Sequence, residues 1–439
     1  MIQKHDFDRR SAFDGVSHIP GDDGLPVVGT LVTQLRNPHA FTDRMVERYG
    51  LVYRTRSFGR RWVTLLGAEA NELVLFDRDK AFSSADGWGP MLDRLFPRGL
   101  MLMDGEEHRA HRRILASAFK PEPMRRYAEA LEDGIAARIG EWRGQTLPFY
   151  PAIKQLTLDL AATSFLGLPL GPEAQAINRA FTDMVAASIA PVRVPLPFTR
   201  MRKGVEGRRF LVDLFTREVP RRREGDGNDL FSQVCRAVDE EGAALSPQQI
   251  ADHMNFLMMA AHDTITSSLT ATMWLLSRHP DWQERLREEV TGAAPDAALP
   301  LVEQAFKETL RMMPPVPALP RRAVKPFRFM GFDIPAGAYI TVQPAFVHRM
   351  PEHWPEPRRF DPARFDSEAV RARHKYAWVP FGGGPHMCLG LHFAMLQARI
   401  FLRRLLPVAR VSLAAGEPSW NPWPIPKPRD GLPLRFDPI

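Results

Sequence analysis

The longest regular pattern of apolar positions lies between Ser246 and His279. Apolar side chains recur there at three- and four-residue spacing, which predicts one helix. Ser246 suits the N-cap, Pro247 the first turn, and Gln249 completes a capping box. The helix has about 32 residues, or roughly 48 Å, and must cross the interior because it is apolar on several faces. The apolar positions are Met254, Leu257, Met258, Ala261, Ile265, Leu269, Met273 and Leu276.

The rest of the chain is also mainly helical in pattern. From Glu106 onward most segments show helical spacing between Gly and Pro, whereas residues 60–66, 327–334 and 339–343 have strand-like composition. We therefore predict a mainly α fold with small β-sheets. No linker or repeat divides the chain, which favours a single domain over residues 1–439, with about the first 20 residues flexible.

Cysteine usage and the N-terminus bear on the cellular compartment. Cys235 and Cys388 are the only two cysteines and lie far apart, which argues against a disulfide scaffold and for a reducing cytoplasm. We expect Cys235 to be a small buried hydrophobe within a helix. The polar N-terminus and the absence of about 18 consecutive apolar residues predict no transmembrane anchor.

The net charge of +7 comes from 58 basic and 51 acidic residues, and arginine is dense over residues 200–223. A basic patch of this kind can bind nucleic acid. The alternative is a solvated, mobile connector. The patch has few interleaved aromatic residues and no accompanying nucleic-acid motif, so we favour the connector and expect no nucleic-acid partner.

Cys388 lies in a glycine-rich turn that precedes an apolar stretch beginning at Leu391. A lone cysteine is commonly a small buried hydrophobe. A helix N-terminus and free backbone N–H groups, however, stabilise negative charge on sulfur, so this position favours a thiolate. A single thiolate suits the axial position of a haem iron.

The whole ten-residue string around Cys388 resembles the haem-binding loop of the cytochrome P450 family. The resemblance implies the cytochrome P450 fold, haem b as the cofactor and Cys388 as the proximal iron ligand. The positions that match the loop are Phe381, Gly382, Gly384, His386, Cys388 and Gly390.

A second motif, residues 260–264, lies inside the long predicted helix. Asp and Thr are poor residues for a buried helix interior, so their presence needs an explanation. The segment resembles the oxygen-activation motif of the same family, which implies that Ala260 and Ala261 adjoin the haem and that Asp263 and Thr264 deliver protons and activate O2. Ala261 replaces the usual Gly, so either a local bulge persists or the pocket beside the iron is smaller. For His262 we expect a structural or water-bonding role.

Glu308 and Arg311 stand three residues apart on one predicted helical face. Such a pair is commonly a weak surface ion pair. The segment resembles the Glu-x-x-Arg motif of the family, whose third partner is matched by Arg364. The resemblance implies a scaffold that fixes the cysteine loop and takes no part in catalysis.

Basic groups are expected to converge on the two haem propionates. His108 and Arg112 lie four residues apart on one helical face, and His108 with His111 would alternatively suit a metal site, although no acidic or cysteine partner is near. The resemblance implies four propionate ligands, namely His108, Arg112, Arg321 (or Arg322 if the register shifts) and His386.

Residues 83–100 and 188–199 are predicted to border a substrate pocket with aromatic and aliphatic walls. Such walls indicate a lipophilic substrate, and the resemblance narrows it to a terpenoid, sterol-like or aromatic compound. The predicted wall residues are Trp88, Met91, Leu92, Leu95, Phe96, Val192, Val194, Leu196, Phe198 and Val316.

The leading hypothesis is a cytoplasmic, monomeric haem-thiolate monooxygenase that receives electrons from NAD(P)H through a ferredoxin and a ferredoxin reductase. The alternatives are a peroxide-driven or isomerising haem-thiolate protein and a non-catalytic carrier of haem or lipophiles. Five basic residues form either a face for an acidic electron donor or ordinary solubilising charge, namely Arg109, Arg113, Arg371, Arg373 and Lys375.

Overall fold

The computed structural model describes residues 14–439 apart from residues 27, 58, 189, 191, 192 and 295. Helices dominate this part of the chain, which confirms the predicted mainly α fold with small sheets. The predicted flexible segment lies largely outside the described residues, and the single domain stays a prediction. The α-helices are α1 (Leu31–Arg36), α2 (Pro38–Tyr49), α3 (Ala68–Asn71), α4 (Ser84–Leu92), α5 (Gly105–Ala116), α6 (Pro121–Trp142), α7 (Phe149–Leu166), α8 (Pro172–Ser188), α9 (Arg200–Glu224), α10 (Leu230–Arg236), α11 (Pro247–Arg278), α12 (Pro280–Gly292), α13 (Pro300–Met312), α14 (Pro344–Val347), α15 (Ser367–Ala372) and α16 (Leu391–Leu405).

Within the described residues the strands form one larger sheet and three small ones. The larger sheet has the order β1-β2-β3-β9-β6-β4, and a second sheet has the order β10-β13-β5. The strand predicted at residues 60–66 is β3, and residues 327–334 form a hairpin of two strands, β7 and β8. The strands are β1 (Gly21–Asp22), β2 (Val52–Ser57), β3 (Arg60–Leu65), β4 (Phe82–Ser83), β5 (Thr146–Pro148), β6 (Leu319–Ala323), β7 (Phe327–Phe329), β8 (Phe332–Ile334), β9 (Tyr339–Val342), β10 (Ala409–Leu413), β11 (Trp420–Asn421), β12 (Lys427–Pro428) and β13 (Pro433–Pro438).

Helix α11 begins and ends where the sequence predicts. The Ser246 hydroxyl accepts from the backbone N–H of Gln249, and the Gln249 side chain accepts in return from the Ser246 N–H, so the predicted capping box is present. The helix has 32 residues and packs against α7 and α9, with residues 250–258 buried without a break. The prediction that this helix crosses the interior is confirmed.

Helix α9 corrects the prediction of a mobile connector at residues 200–223. One face of this 25-residue helix is buried, and Gly204 and Gly207 allow it to approach α8 closely: a Cβ on Gly207 would lie 2.6 Å from the Ala180 carbonyl oxygen. Arg222 is largely buried and lies 2.7 Å from Asp229. The arginines therefore lie on an ordered helix, and at least one of them, Arg222, forms an ion pair inside the protein.

Cys235 lies in α10, 1% exposed, as predicted. Burial raises the pKa of its thiol to about 12, so it acts as a packed apolar group. Among the described residues, no helix combines the length and the apolar character that a membrane span requires.

Candidate functional site

The loop before α16 holds Cys388 by its backbone. The N–H of Cys388 donates to the carbonyl of Phe381 (2.9 Å), and Gly390 is the N-cap residue of α16. At Gly384 φ is +59°, and a Cβ there would lie 2.3 Å from the carbonyl oxygen of Leu75, so only glycine fits. Gly382 also has a positive φ, +71°, and its N–H donates to the carbonyl of Val379.

Protein atoms surround the Cys388 thiol on most sides, although the side chain remains accessible, and this burial raises the thiol pKa above its ordinary value. The Gly390 N–H and the Arg112 guanidinium act in the opposite direction and favour the thiolate. A bound metal ion would favour ionisation further, because it deprotonates a coordinating thiol. That Cys388 is a thiolate therefore stays a prediction.

Basic side chains from three elements meet beside the cysteine loop. Helix α5 carries His108 and Arg112, strand β6 carries Arg321, and the loop carries His386. The rings of His108 and His386 are 4.0 Å apart between centroids. Arg321 is 5% exposed, and burial lowers its pKa to about 10. The carboxylate of Asp104, which no sequence signal singled out, lies 3.3 Å from Nε2 of His386.

This cluster fits an anionic ligand. Burial and the neighbouring His386 and Arg112 lower the pKa of His108 to about 3, and its buried Nε2 has no hydrogen-bond partner in the described part of the protein. Arg112 and Arg321 are the cationic members of the cluster, and the unpaired buried nitrogen of His108 is unfavourable unless a ligand atom completes its hydrogen bond. The two propionates of a haem supply such acceptors next to Cys388.

Two neighbouring candidates lie outside the cluster. Arg322 stacks on the ring of Tyr339 at 4.7 Å and donates to the carbonyl of Gly337, so Arg321 holds the predicted position and the register does not shift. His111 contacts His253 at 2.7 Å, whereas His108 contacts His386. The two histidines of α5 thus face different neighbours and do not converge on one point.

Helix α11 becomes accessible at its middle. Ala260 is exposed, and Ala261 and Thr264 are half-buried, although residues 250–258 are buried. The Thr264 hydroxyl donates to the carbonyl of Ala260 at 2.7 Å. The segment stays α-helical throughout, so Ala261 does not form the local bulge that the sequence left open. An accessible stripe on a buried helix is a surface for a ligand.

Asp263 is held by two basic side chains. Its Oδ1 lies 3.0 Å from Nδ1 of His262 and 3.6 Å from Nζ of Lys154 on α7. Burial alone would raise the pKa of Asp263, but His262 and Lys154 outweigh it and hold this pKa below its ordinary value. His262 is 3% exposed, and its Nε2 lies 3.4 Å from the Lys154 carbonyl oxygen. Lys154, which is 109 positions earlier in the chain than Asp263, has no local signal in the sequence.

Glu308, Arg311 and Arg364 come together in the interior. Arg311 donates twice to the Glu308 carboxylate, at 2.7 and 2.8 Å, and the Arg364 guanidinium lies 3.5 Å from the same carboxylate. Both Glu308 and Arg311 are fully buried, so a surface ion pair is excluded. Burial raises the pKa of Glu308 despite its partners.

His348 connects this triad to the cysteine loop. Its carbonyl accepts from Nη1 of Arg311 at 2.8 Å, and its Nε2 accepts from the backbone N–H of Val379 at 3.0 Å. Val379 stands two residues before Phe381. No local signal in the sequence points to His348, because Arg311 and Val379 are 37 and 31 positions away in the chain.

The predicted pocket walls are only partly brought together. Trp88, Met91 and Val316 are half-buried. Leu95 and Phe96 are each 1% exposed and pack within the main core, and their place in a pocket wall stays a prediction. Three further predicted wall residues are exposed at the surface, and Val192 lies outside the described residues; the exposed ones are Val194, Leu196 and Phe198.

Arg373 is not available as a surface cation. It stacks on Trp354 at 3.7 Å and donates to the carbonyl of Arg364, and burial lowers its pKa to about 10. Arg109 and Arg113 form exposed ion pairs with Glu106 and Glu240. Of the five predicted basic residues, Arg373 is thus half-buried and engaged by its neighbours.

Comparison with known proteins gives a consistent result over nearly the whole chain. A family model described as cytochrome P450 matches residues 19–424. A Mycobacterium tuberculosis protein that carries the name cytochrome P450 136 is 35% identical over 441 residues, which cover 97% of this chain and 89% of that protein. Taxane 10-beta-hydroxylase of Taxus cuspidata is 28% identical, over 88% of this chain and 82% of its own.

A solved structure is also similar. The retinoic acid-bound structure of cyanobacterial CYP120A1 superposes with a TM-score of 0.86 at 28% identity, covering 96% of this chain and 99% of that one. The likeness therefore extends over the elements that carry Cys388, the basic cluster and the accessible part of α11.

Proposed function

The chain belongs to the cytochrome P450 family of haem-dependent monooxygenases, and we propose that it inserts one oxygen atom from O2 into a lipophilic small molecule. The observation that carries this proposal is the accessible stripe of α11, where Thr264 lies beside a carboxylate that Lys154 and His262 keep ionised. When bound, haem supplies the redox chemistry that activates O2.

The residues of this chain then have separate tasks. Cys388 would ligate the iron, and Phe381, Gly382 and Gly390 would shape the loop around it. His108, Arg112, Arg321 and His386 would bind the propionates by charge and hydrogen bonds.

Ala260 and Ala261 would adjoin the haem. Asp263, ionised at neutral pH, would take up a proton from solvent and pass it to the Thr264 hydroxyl, which otherwise donates to the Ala260 carbonyl. Glu308, Arg311 and Arg364 fix the cysteine loop and take no part in the chemistry.

We infer that the substrate is a terpenoid, sterol-like or aromatic compound. Two similar proteins support this class: one is named for taxane hydroxylation, and the other was solved with retinoic acid bound. Trp88, Met91 and Val316 are the half-buried apolar residues we propose for the pocket wall.

We further propose that a ferredoxin and its reductase deliver the electrons to a monomer, with Arg109, Arg113, Arg371 and Lys375 steering the donor.

The first experiment tests the iron ligand. The holoprotein, once reduced and exposed to carbon monoxide, is expected to show the Soret band of a haem-thiolate, and Cys388→Ala should abolish it. An unchanged band in Cys388→Ala would overturn the proposal. A screen of apolar compounds, read as shifts of the haem spectrum, then identifies the substrate class.

The second experiment tests the reaction type. Thr264→Ala is expected to keep haem and to lower product formation driven by reduced redox partners by about a hundredfold or more. Thr266→Ala is a matched control, because the Thr266 side chain is fully buried and its hydroxyl bonds Thr157 at 2.7 Å. Efficient turnover with peroxide alone would instead favour a peroxide-driven enzyme, and ligand binding without any oxidised product would favour a carrier.

A further inference from the structure

A buried pair of histidines joins α5, the helix with the proposed propionate ligands, to the long helix α11. Nδ1 of His111 lies 2.7 Å from Nε2 of His253, and the two side chains are 7% and 0% exposed. On its other side, Nε2 of His111 lies 3.3 Å from the amide nitrogen of Gln249. Neither histidine has a role in the proposed chemistry.

The hydrogen bonds from Gln249 through His111 to His253 all donate in one direction along the chain of side chains. The Oε1 of Gln249 accepts from the Ser246 N–H in the capping box, at 2.8 Å, so its amide NH2 faces His111 and can only donate. Nε2 of His111 must therefore accept, and its proton sits on Nδ1, which donates to Nε2 of His253. His253 then carries its own proton on Nδ1, which is buried and has no partner within the described chain.

The pair lies at the level of the basic cluster. His111 directly precedes Arg112 and follows His108 by three residues, so any rotation or shift of α5 about this contact moves both proposed propionate ligands. Apart from this contact, α5 packs chiefly against the short turns at residues 100–102 and 117–119. The pair is thus a polar contact that joins α5, which otherwise packs against nearby turns, to the buried helix α11.

We propose that the His111–His253 pair positions α5, and with it His108 and Arg112, on the haem, and that protonation of the pair in acid releases this hold. The inference rests on the proposed haem contacts of α5. His111 and His253 are positioning residues, because they act through the side chains of α5 and touch no reacting atom.

The charges around the pair oppose a second proton. Burial, followed by His111 and Arg98, lowers the pKa of His253 to about 3, and burial also lowers the pKa of His111, partly opposed by Glu107. The neighbouring carboxylate of Asp252 is already 3.0 Å from Arg208 of α9. Protonation of either histidine would turn its accepting Nε2 into a donor that faces another N–H donor, so the contact would be lost. The folded-state pKa values lie below the ordinary 6.5, so the contact stabilises the fold fully above that pH and loses its contribution as the pH falls toward 3.

The test is the rate of haem transfer from the purified holoprotein to excess apomyoglobin across a pH series. His253→Gln keeps an acceptor near the position of Nε2 and does not titrate, so the pH midpoint of haem loss should fall by about one unit. His253→Leu leaves the buried N–H of His111 unpaired, and haem loss at neutral pH should be about tenfold faster. His279→Gln, at the far end of α11 and half-buried, is the matched control and should leave both quantities unchanged.

The outcomes separate this inference from the proposed function. The positioning role would be overturned if both His253 variants lost haem with the wild-type dependence on pH, or if His279→Gln shifted the pH midpoint of haem loss equally. In either case the haem-thiolate Soret band would still be present. Helical content followed by circular dichroism must stay constant across the midpoint in the wild type, since global unfolding at the same pH would also contradict a local release. The proposed function would fail on the Cys388→Ala spectrum instead.

Discussion

The guanidinium of Arg311 donates two hydrogen bonds to the Glu308 carboxylate, and neither side chain has any exposed surface. Burial nevertheless raises the pKa of Glu308, which means that keeping this carboxylate ionised carries a desolvation cost that its partners do not fully offset. The pair therefore fixes geometry more than it adds stability. It orders the segment that contains His348 and, through the Val379 backbone, the start of the cysteine loop.

Arg311→Lys tests this interpretation. Lysine cannot reproduce the two-pronged contact and leaves buried acceptors unpaired, so we expect the free energy of unfolding in urea to fall by about 3–5 kcal/mol, with loss of bound haem. Arg359→Lys is the surface control, because Arg359 pairs with Glu356 at an exposed site, where the loss should be under about 1 kcal/mol. Equal effects in the two variants would contradict a special role for the buried pair.

Gly384 gives a second prediction, about the loop itself. Gly384→Ala would force a side chain to φ near +59° and place its Cβ against the backbone of Leu75 and Phe76, so we expect a loss of roughly 2–5 kcal/mol in stability. Gly390→Ala is the control within the same loop, because φ there is −86° and a Cβ would meet only the sulfur of Cys388, at 4.0 Å. Thermal unfolding of both variants checks the difference. A Gly384→Ala protein as stable as Gly390→Ala would show that the loop can rearrange.

The sequence predicted those features whose signals are local. The boundaries of α11 follow from a capping box at one end and a His-Pro step at the other, so they could be placed residue by residue. The members of the basic cluster were found because each stands in a recognisable motif. Asp104 and Lys154 were missed because each meets its partner only through the fold: Asp104 lies 282 positions from His386, and Lys154 109 positions from Asp263.

Helix α9 shows why residues 200–223 were wrongly predicted to be a mobile connector. Its buried face includes Gly204 and Gly207, which carry no apolar signal but allow α8 to come into close contact, while its arginines dominate the composition. The error comes from tertiary packing that local patterns do not contain.

Lys154 is the basis of a third prediction, about pH dependence. Lys154→Met removes a group that lowers the pKa of Asp263, so this pKa should rise. The pH at which turnover with the redox partners falls off in acid, the acid limb of the pH–rate profile, should then move up by as much as about one unit. Lys154→Arg keeps the charge and should retain the wild-type limb.

The same carboxylate contributes to stability. Its folded-state pKa lies below the ordinary 3.8, so this contribution is present above that pH and disappears as the pH falls through the folded-state value. The destabilisation by Lys154→Met should therefore be measurable at neutral pH and vanish in acid. An unmoved acid limb in Lys154→Met would show that Asp263 is controlled by His262 alone.

Ala261 gives a fourth prediction, because it stands where the family motif has Gly. Its methyl group borders a small internal space together with Thr157, Phe165 and Phe393, and α11 stays regular through it. Ala261→Gly should lower the unfolding free energy by about 1 kcal/mol through helix propensity, plus the lost packing of one methyl group. Ala260→Gly, at an exposed position, carries the propensity term alone, so the difference between the unfolding free energies of the two variants measures the packing of that methyl group. If Ala261→Gly is no less stable than Ala260→Gly, the alanine does not fill this space.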